Sequence, residues 1–380
     1  MNTSHQVVKL AVISRVCMLV LGLALSLFPD YDTSLTPSHF PRASFVTRFL
    51  RPFAAWDGEY FTGIAERGYV YEHFHAFFPL YPLLIRALSL FSFGLFSHLV
   101  SALIISNISF VIAALSLHHL TLSLFPADQK LAWWTVVLFC INPASIFMSA
   151  AYSESLYCAL TFSALFFLHR RSQITIFPAI VLFTLATFTR SNGVLSCWFL
   201  LYAACQDSIK RRSSDIRLAF STAFGCVSVA APFVLVQLYG QSIFHPSDVG
   251  PLQFYGYVQS HYWNQGFMNY WQLKQLPNFI LAAPILIISA FTGFSCLLSC
   301  IQRRQLIPEF PFVAHLGVMC VASLFFMHTQ VATRFICAAS PAIYWTSSRL
   351  LQRGKWIILA YFLSYFLLGP LLFTNFFPWT

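Results

Sequence analysis

The chain has 380 residues, of which 58% are hydrophobic and only 9% charged, against about a quarter charged in a soluble domain. That balance excludes an ordinary soluble globular enzyme, and apolar runs of transmembrane length recur along the whole sequence. The formal charge of +10 invites a nucleic-acid reading, but most Lys and Arg sit in short loops between apolar runs, as the orientation rule of membrane proteins requires, so no nucleic-acid partner is expected.

The first apolar run, Val7 to Phe28, has no convincing small-residue cleavage site and is long for a signal peptide. It reads as an uncleaved span with Lys9 and Arg15 at its cytosolic side. A long polar-aromatic segment, 29–96, follows. Within it, "AWDGEYFTGIAERGYVYEHFHAFFPLYP" at 55–82 gathers Asp57, Glu59, Glu66 and Glu72, from a total of 12 acids. Read as an interfacial helix, this stretch puts Asp57, Phe61 and Ile64 on one face, flanked by Trp56, Tyr60 and Gly63, and puts Glu59 and Glu66 on another. A carboxylate packed against aromatics gains basicity and suits a general base. The competing reading is a helix N-terminal acid facing water, or a partner for Arg51 or Arg67. His73 and His75 near Glu66 and Glu72 match no metal motif, and no metal is expected.

Further spans are expected at 97–124, 131–149, 153–169, 174–189, 193–206, 218–239, 277–300, 311–328, 335–350 and 356–375, about eleven with the first. The runs 131–169 and 174–206 also read as broken or re-entrant helices. Basic residues fall in every second loop: Lys130; Arg170 and Arg171; Lys210, Arg211, Arg212 and Arg217; Arg303 and Arg304; Arg349, Arg353 and Lys355. These loops are assigned to the cytosol. The opposite face then holds 29–96, "NPASIFMSAAYSES" at 142–155, "TRSNG" at 189–193, the loop 240–276 and "HTQVATR" at 328–334. The expected fold class is all-α, a polytopic transmembrane helical protein forming one integral membrane domain over 1–380, with 29–96 and 240–276 as its two large non-cytosolic loops.

Glu154 stands at the non-cytosolic edge of a span, where an ionisable group is costly and points to function; a charge answering the helix dipole is the plainer alternative. Arg190, Lys274 and Arg334 are cations on that same face, against the positive-inside trend. They suit a phosphate at the membrane surface, or else act as snorkelling anchors. The ten cysteines lie almost all in apolar runs without a CxxC and read as packing residues. There is no Walker loop, no GxGxxG after a strand and no GxSxG. A possible base, several cations and aromatic loops on one membrane face suit an enzyme that handles a lipid-phosphate-linked substrate. A transporter would rather place its charges at mid-bilayer.

The blocks "WDGEYFTGIAERGYVYEHFHAFFPLYP", "FCINPASIFMSAAYSESLY", "TRSNG", "YWNQGFMNYWQLKQLPNFILAAP" and "HTQVATRFICAASPAIYW" resemble, in order, the motif blocks of the phosphatidylinositol-glycan class V family of GPI mannosyltransferases; the loops between blocks are compact here. The resemblance implies a glycosyltransferase C fold in the endoplasmic reticulum membrane with a luminal active site. It implies transfer of the second, α1,6-linked mannose from dolichyl phosphate mannose to the one-mannose GPI intermediate, with no cofactor. It leaves room for an accessory membrane subunit among membrane lipid partners. It carries the role of catalytic base to Asp57; many relatives have adjacent acids there, where this chain has Asp57-Gly58-Glu59. Arg334 becomes the first candidate for the donor phosphate, with Arg190 and Lys274 behind it. Trp56, Glu59, Glu66, Glu72 and Glu154 are then expected to position substrate. The alternatives are another dolichol-dependent mannosyltransferase and a glycolipid transporter without chemistry.

Overall fold

The computed structural model describes residues 3–32, 45–93, 95–170, 173–211, 216–244, 249–377 and 379. Among them every regular element is helical, in agreement with the expected all-α class. Helices α1 (Thr3–Leu25), α2 (Phe45–Leu50), α3 (Asp57–Arg67) and α4 (Leu80–Phe91) lead into the long α5 (His98–Leu124). Then come α6 (Gln129–Cys140), α7 (Glu154–His169), α8 (Gln173–Thr189), α9 (Cys197–Arg211) and α10 (Ile216–Phe244). The chain closes with α11 (Phe254–Trp263), α12 (Leu276–Arg303), α13 (Phe310–Phe325), α14 (Ala332–Ala339), α15 (Pro341–Gln352) and α16 (Ile357–Thr374). Helix α5 packs along α7, α7 on α8, and α8 on α10, while α1 bridges α5 and α16.

Among the described residues, five helices are long and apolar enough to cross a membrane: α1, α5, α10, α12 and α16. Their outer faces are built for lipid. On α12, Ile280, Ile287, Phe294 and Ile301 recur every seventh residue and are each at least three-fifths exposed, while Ser289, Thr292 and Cys296 face inward. Large apolar side chains outside and small ones inside are the arrangement a hydrocarbon solvent favours.

The expected crossings at 131–149, 193–206 and 335–350 do not occur as single helices. The first stops at Cys140, because Pro143 has no N–H to continue the ladder. Asn142 closes this end: its Nδ2 donates to the Phe139 carbonyl at 2.7 Å and its Oδ1 accepts from the Ala144 N–H at 2.9 Å. The second is a 3-10 turn, Ser191–Ser196, running into α9. The third is cut at Ser340, before Pro341, into α14 and α15. The broken-helix reading of 131–169 and 174–206 therefore describes these regions better than paired clean spans.

Residues 142–153, between α6 and α7, are buried throughout without forming a helix. Irregular backbone at such depth requires donors and acceptors from the protein. Arg15 is one source of donors, in a correction to its expected cytosolic placement. It lies mid-helix in α1 and is 3% exposed. Its Nη1 donates to the Ser145 carbonyl at 2.9 Å and to Ser149 Oγ at 3.0 Å. Its Nη2 donates to the Cys140 carbonyl at 3.1 Å and to Ser145 Oγ at 2.6 Å. The guanidinium lies over the Phe110 ring, 3.7 Å from its centroid. Ser106 and Asn107 of α5 bind the Tyr152 and Ser149 carbonyls from the other side, at 3.0 and 3.2 Å. The result is a rigid shelf from which α7 starts with Glu154.

Candidate active site

The first loop delivers Asp57 to that shelf. Phe53 accepts the Ala151 N–H at 2.9 Å, and Tyr152 Oη accepts the Asp57 N–H at 3.0 Å. Asp57 opens α3, and Phe61 and Ile64 on its face are each 4% exposed, as the helical spacing predicts. Just before it, Trp56 adopts φ 58°, a left-handed conformation that is uncommon outside Gly. Its Nε1 donates to the Phe373 carbonyl at 3.2 Å, which ties the strained turn to the end of α16.

Four charges from four regions of sequence meet here. Arg334, in the first turn of α14, donates from Nη1 to Asp57 Oδ2 at 2.6 Å and lies 3.5 Å from Glu154 Oε1. Arg190 reaches the same Glu154 Oε1 at 2.5 Å and donates to Ser153 Oγ at 3.2 Å. Glu154 is fully buried, so two guanidiniums compensate a carboxylate withdrawn from solvent. Asp57, at 27% exposure, is the more open of the two acids. The expectation of a carboxylate isolated among aromatics is thus corrected: Asp57 is ion-paired, and the aromatic rings of Phe147 and Tyr152 lie beside Arg334 instead, about 5.4 and 5.5 Å from its guanidinium carbon.

Trp56, Asp57, Arg190 and Arg334 line a cavity of about 500 Å³. Aromatic walls come from Phe77, Tyr255, Trp263 and Trp379, and polar groups from Asn192, Gln259, His328 and Gln330. These are anchored in turn. Asn192 Nδ2 donates to Tyr157 Oη at 3.1 Å, and Ser191 Oγ lies 2.9 Å from Tyr255 Oη. Gln330 Oε1 accepts from Tyr270 Oη at 3.0 Å. His328 stacks on Tyr270 and places Nε2 2.7 Å from the Trp263 carbonyl. Burial lowers the His328 pKa below its ordinary value, so at neutral pH the ring donates to that carbonyl uncharged. Flat rings with a few convergent hydrogen-bonding groups make a surface suited to a sugar.

The remaining candidates lie elsewhere. Glu66 is exposed on the far side of α3. Glu72 accepts from Tyr262 Oη at 2.7 Å and joins the first loop to α11, outside the cavity lining. Glu59 is half-buried and does not line the cavity. Lys274 is exposed on a 3-10 turn, Leu273–Gln275, that does not line the cavity. The helical period explains both Glu residues of α3, since positions two and nine residues after Asp57 fall off its face. Sequence reading missed Arg15, His328, Gln330, Asn192, Gln259, Trp263 and Trp379 as site-forming residues. His328, Gln330 and Asn192 lie inside blocks already singled out, whereas Trp379 carries no signal beyond its aromaticity. Among the described residues no three His, Cys, Asp or Glu side chains gather as a metal site would require.

The family model described as Mannosyltransferase (PIG-V) matches residues 4–302 and 305–380 of this chain. GPI alpha-1,6-mannosyltransferase 2 of Homo sapiens is 31% identical over 493 aligned positions that cover 99% of this chain and 98% of that protein. The alignment is longer than the chain, in keeping with compact loops here. GPI mannosyltransferase 2 of Yarrowia lipolytica is 32% identical across 89% of each chain, and that of Drosophila pseudoobscura pseudoobscura is 31% identical across 99% of this chain and 100% of its own. Among solved structures, the Archaeoglobus fulgidus oligosaccharyltransferase overlays 97% of this chain on 52% of its own, with 13% identity and a TM-score of 0.49, a likeness on which nothing is built.

Proposed function

The chain belongs to the PIG-V mannosyltransferase family, and on that premise we propose that it adds the second, α1,6-linked mannose to the one-mannose GPI intermediate, using dolichyl phosphate mannose in the lumen of the endoplasmic reticulum. The observation that carries the reading is the contact between Arg334 and Asp57 at the floor of an aromatic cavity. One cation is shared between a base and the place where a phosphate would arrive.

In the free protein the charges of Asp57, Glu154, Arg190 and Arg334 cancel. The donor brings a phosphodiester anion, which competes with Asp57 for Arg334. The acceptor 6-hydroxyl oxygen attacks the anomeric carbon from the face opposite the phosphate. The bond from that carbon to the phosphate oxygen breaks, its electron pair leaves with dolichyl phosphate, and the hydroxyl proton passes to Asp57 Oδ2. This is one displacement with inversion, from a β-linked donor to an α-linked product. Asp57, once protonated, no longer competes for Arg334, so the guanidinium is released to the phosphate as its negative charge grows. A phosphate is a capable leaving group, so the scheme uses no general acid. Glu154 lies beneath and keeps Arg190 and Arg334 in place. The rings around the cavity exclude water that would otherwise hydrolyse the donor.

Microsomes containing the protein, supplied with labelled dolichyl phosphate mannose and the one-mannose GPI intermediate, should yield a labelled two-mannose product. Movement of either lipid across the membrane without product would instead indicate a transporter, and label entering another acceptor would indicate a different dolichol-dependent transferase.

A further inference from the structure

Helix α12 is 28 residues long, about 42 Å at 1.5 Å per residue. Its first turn is linked to the candidate active site, and its last turns border a second cavity. In its first turn Asn278 Nδ2 donates to Tyr270 Oη at 2.8 Å, and that hydroxyl reaches Gln330 in the candidate active site. At its last turn a second cavity, of about 310 Å³, opens between α12, α13 and α15. The catalytic scheme does not use it.

This second cavity is basic at its mouth. Arg303, Arg349 and Arg353 line it, with Glu309 as the one acid in the lining. Arg349 Nη2 donates to Glu309 Oε1 at 2.7 Å, and its guanidinium lies 4.9 Å from the centroid of the Phe125 ring. Arg303 and Arg353 have no acidic partner among the described residues, which leaves an excess of two positive charges. Deeper in, the wall is hydroxylic: Thr292, Ser295 and Ser299 follow one face of α12. Thr292 and Ser299 donate to the Ile288 and Ser295 carbonyls, at 2.7 and 2.8 Å, so their lone pairs are left to accept from a guest. From Thr292 to Arg303 the cleft follows α12 for about 16 Å.

The surroundings are those of a membrane surface. Phe291, in the same wall, is 42% exposed, and Phe294 and Ile301 on the same helix face outward. Beside Arg353, Trp356 and Ile357 are 65% and 73% exposed, as anchors at headgroup depth are. A guest reaching this cleft sideways from the bilayer would meet arginines at the mouth, hydroxyl oxygens inside and apolar walls alongside. We propose that the cleft between α12, α13 and α15 binds the headgroup of an anionic phospholipid of the leaflet opposite the active site, its phosphate on Arg303 and Arg353 and its headgroup hydroxyls on the Ser/Thr wall. Basic pockets between transmembrane helices are a known setting for such headgroups.

The test uses the full-length protein in phosphatidylcholine nanodiscs with added phosphatidylglycerol, an anionic lipid that is not a substrate in the proposed reaction. Native mass spectrometry counts the phosphatidylglycerol retained after ejection. The pocket variant Arg303→Gln/Arg353→Gln should retain about tenfold less lipid or lower still. The charge-matched variant Arg304→Gln/Lys355→Gln, whose positions are exposed and lie outside the cleft, should retain as much as the parent. Equal loss in both variants would reduce the effect to diffuse surface attraction and overturn the proposal, as would a parent protein that retains none. Inorganic phosphate, added to discs of phosphatidylcholine alone, should leave the melting temperature unchanged; stabilisation that vanishes in the pocket variant would reassign the cleft to a soluble anion. Neither variant touches the mannosyl-transfer site, so transferase activity in phosphatidylcholine serves as the folding control.

Discussion

Arg334 holds Asp57 at 2.6 Å across 277 positions of sequence, and the same guanidinium is the nearest cation to the buried Glu154 apart from Arg190. In the proposed mechanism, a base held by the cation that the donor's phosphate must recruit is silent until the donor binds.

Arg334→Ala leaves Asp57 without its partner and Glu154 with Arg190 alone. We expect turnover to fall about 10²–10³-fold, with weaker use of the donor. Arg334→Lys should recover only part of it, because a single ammonium cannot present the guanidinium's several donors. Steady-state kinetics over a range of donor concentrations checks both. Parental kcat and KM in the Ala variant would make Arg334 a membrane anchor.

Arg15→Met removes buried hydrogen bonds to the Cys140 and Ser145 carbonyls and to the Ser145 and Ser149 hydroxyls, and leaves those carbonyls only Ser14 Oγ and the Met148 N–H. A buried hydrogen bond from a charged donor is worth about 1.5–3 kcal/mol, so the melting temperature in detergent should drop by several degrees. Activity should fall with it, although Arg15 touches no substrate, because Asp57 and Glu154 are seated on that shelf. Lysine at this position should not restore the melting temperature.

Gly193→Ala should damage the turn that carries Arg190. A Cβ there would lie 2.5 Å from the Thr187 backbone nitrogen and Cα, and backbone cannot swing aside. Overpacking of this kind costs about 1–3 kcal/mol. The measurable outcome is reduced thermal stability together with loss of transfer.

His75, in the 3-10 turn after α3, is 1% exposed, and burial takes its pKa down to about 4. The folded protein thus prefers the neutral ring, while the unfolded chain takes up a proton below about 6.5. Stability is complete above pH 6.5 and is lost as pH falls toward 4, by about 3 kcal/mol at most. Replacement by Phe should flatten this acid limb in thermal melts taken between pH 4 and pH 7. An unchanged acid limb would assign the loss to other groups.

Much of this organisation was legible in the sequence because membrane helices write themselves in composition. Runs such as 97–124 and 356–375 emerge as α5 and α16 almost to the residue. The i, i+4, i+7 spacing separated Asp57 from Glu59 and Glu66 correctly, since helical period is a local property. What was not legible depended on tertiary pairing. Arg15 looks like a cytosolic charge until α6 and the shelf are packed against it. Lys274 and Arg334 look equivalent as cations on one face, yet one stands on an exposed turn and the other points into the cavity. The breaks at Pro143 and Pro341 were visible as prolines, but whether such residues kink a span or end it is decided by neighbours such as Asn142.

In the proposed mechanism Asp57 takes the acceptor's proton. The protein purified into nanodiscs, with labelled dolichyl phosphate mannose and the one-mannose GPI intermediate, allows the parent and Asp57→Asn to be compared at equal amounts and equal melting temperature. The parent should give a two-mannose product, and the amide variant a rate about 10²–10⁴-fold lower. A variant that transfers mannose at the parental rate would contradict that mechanism.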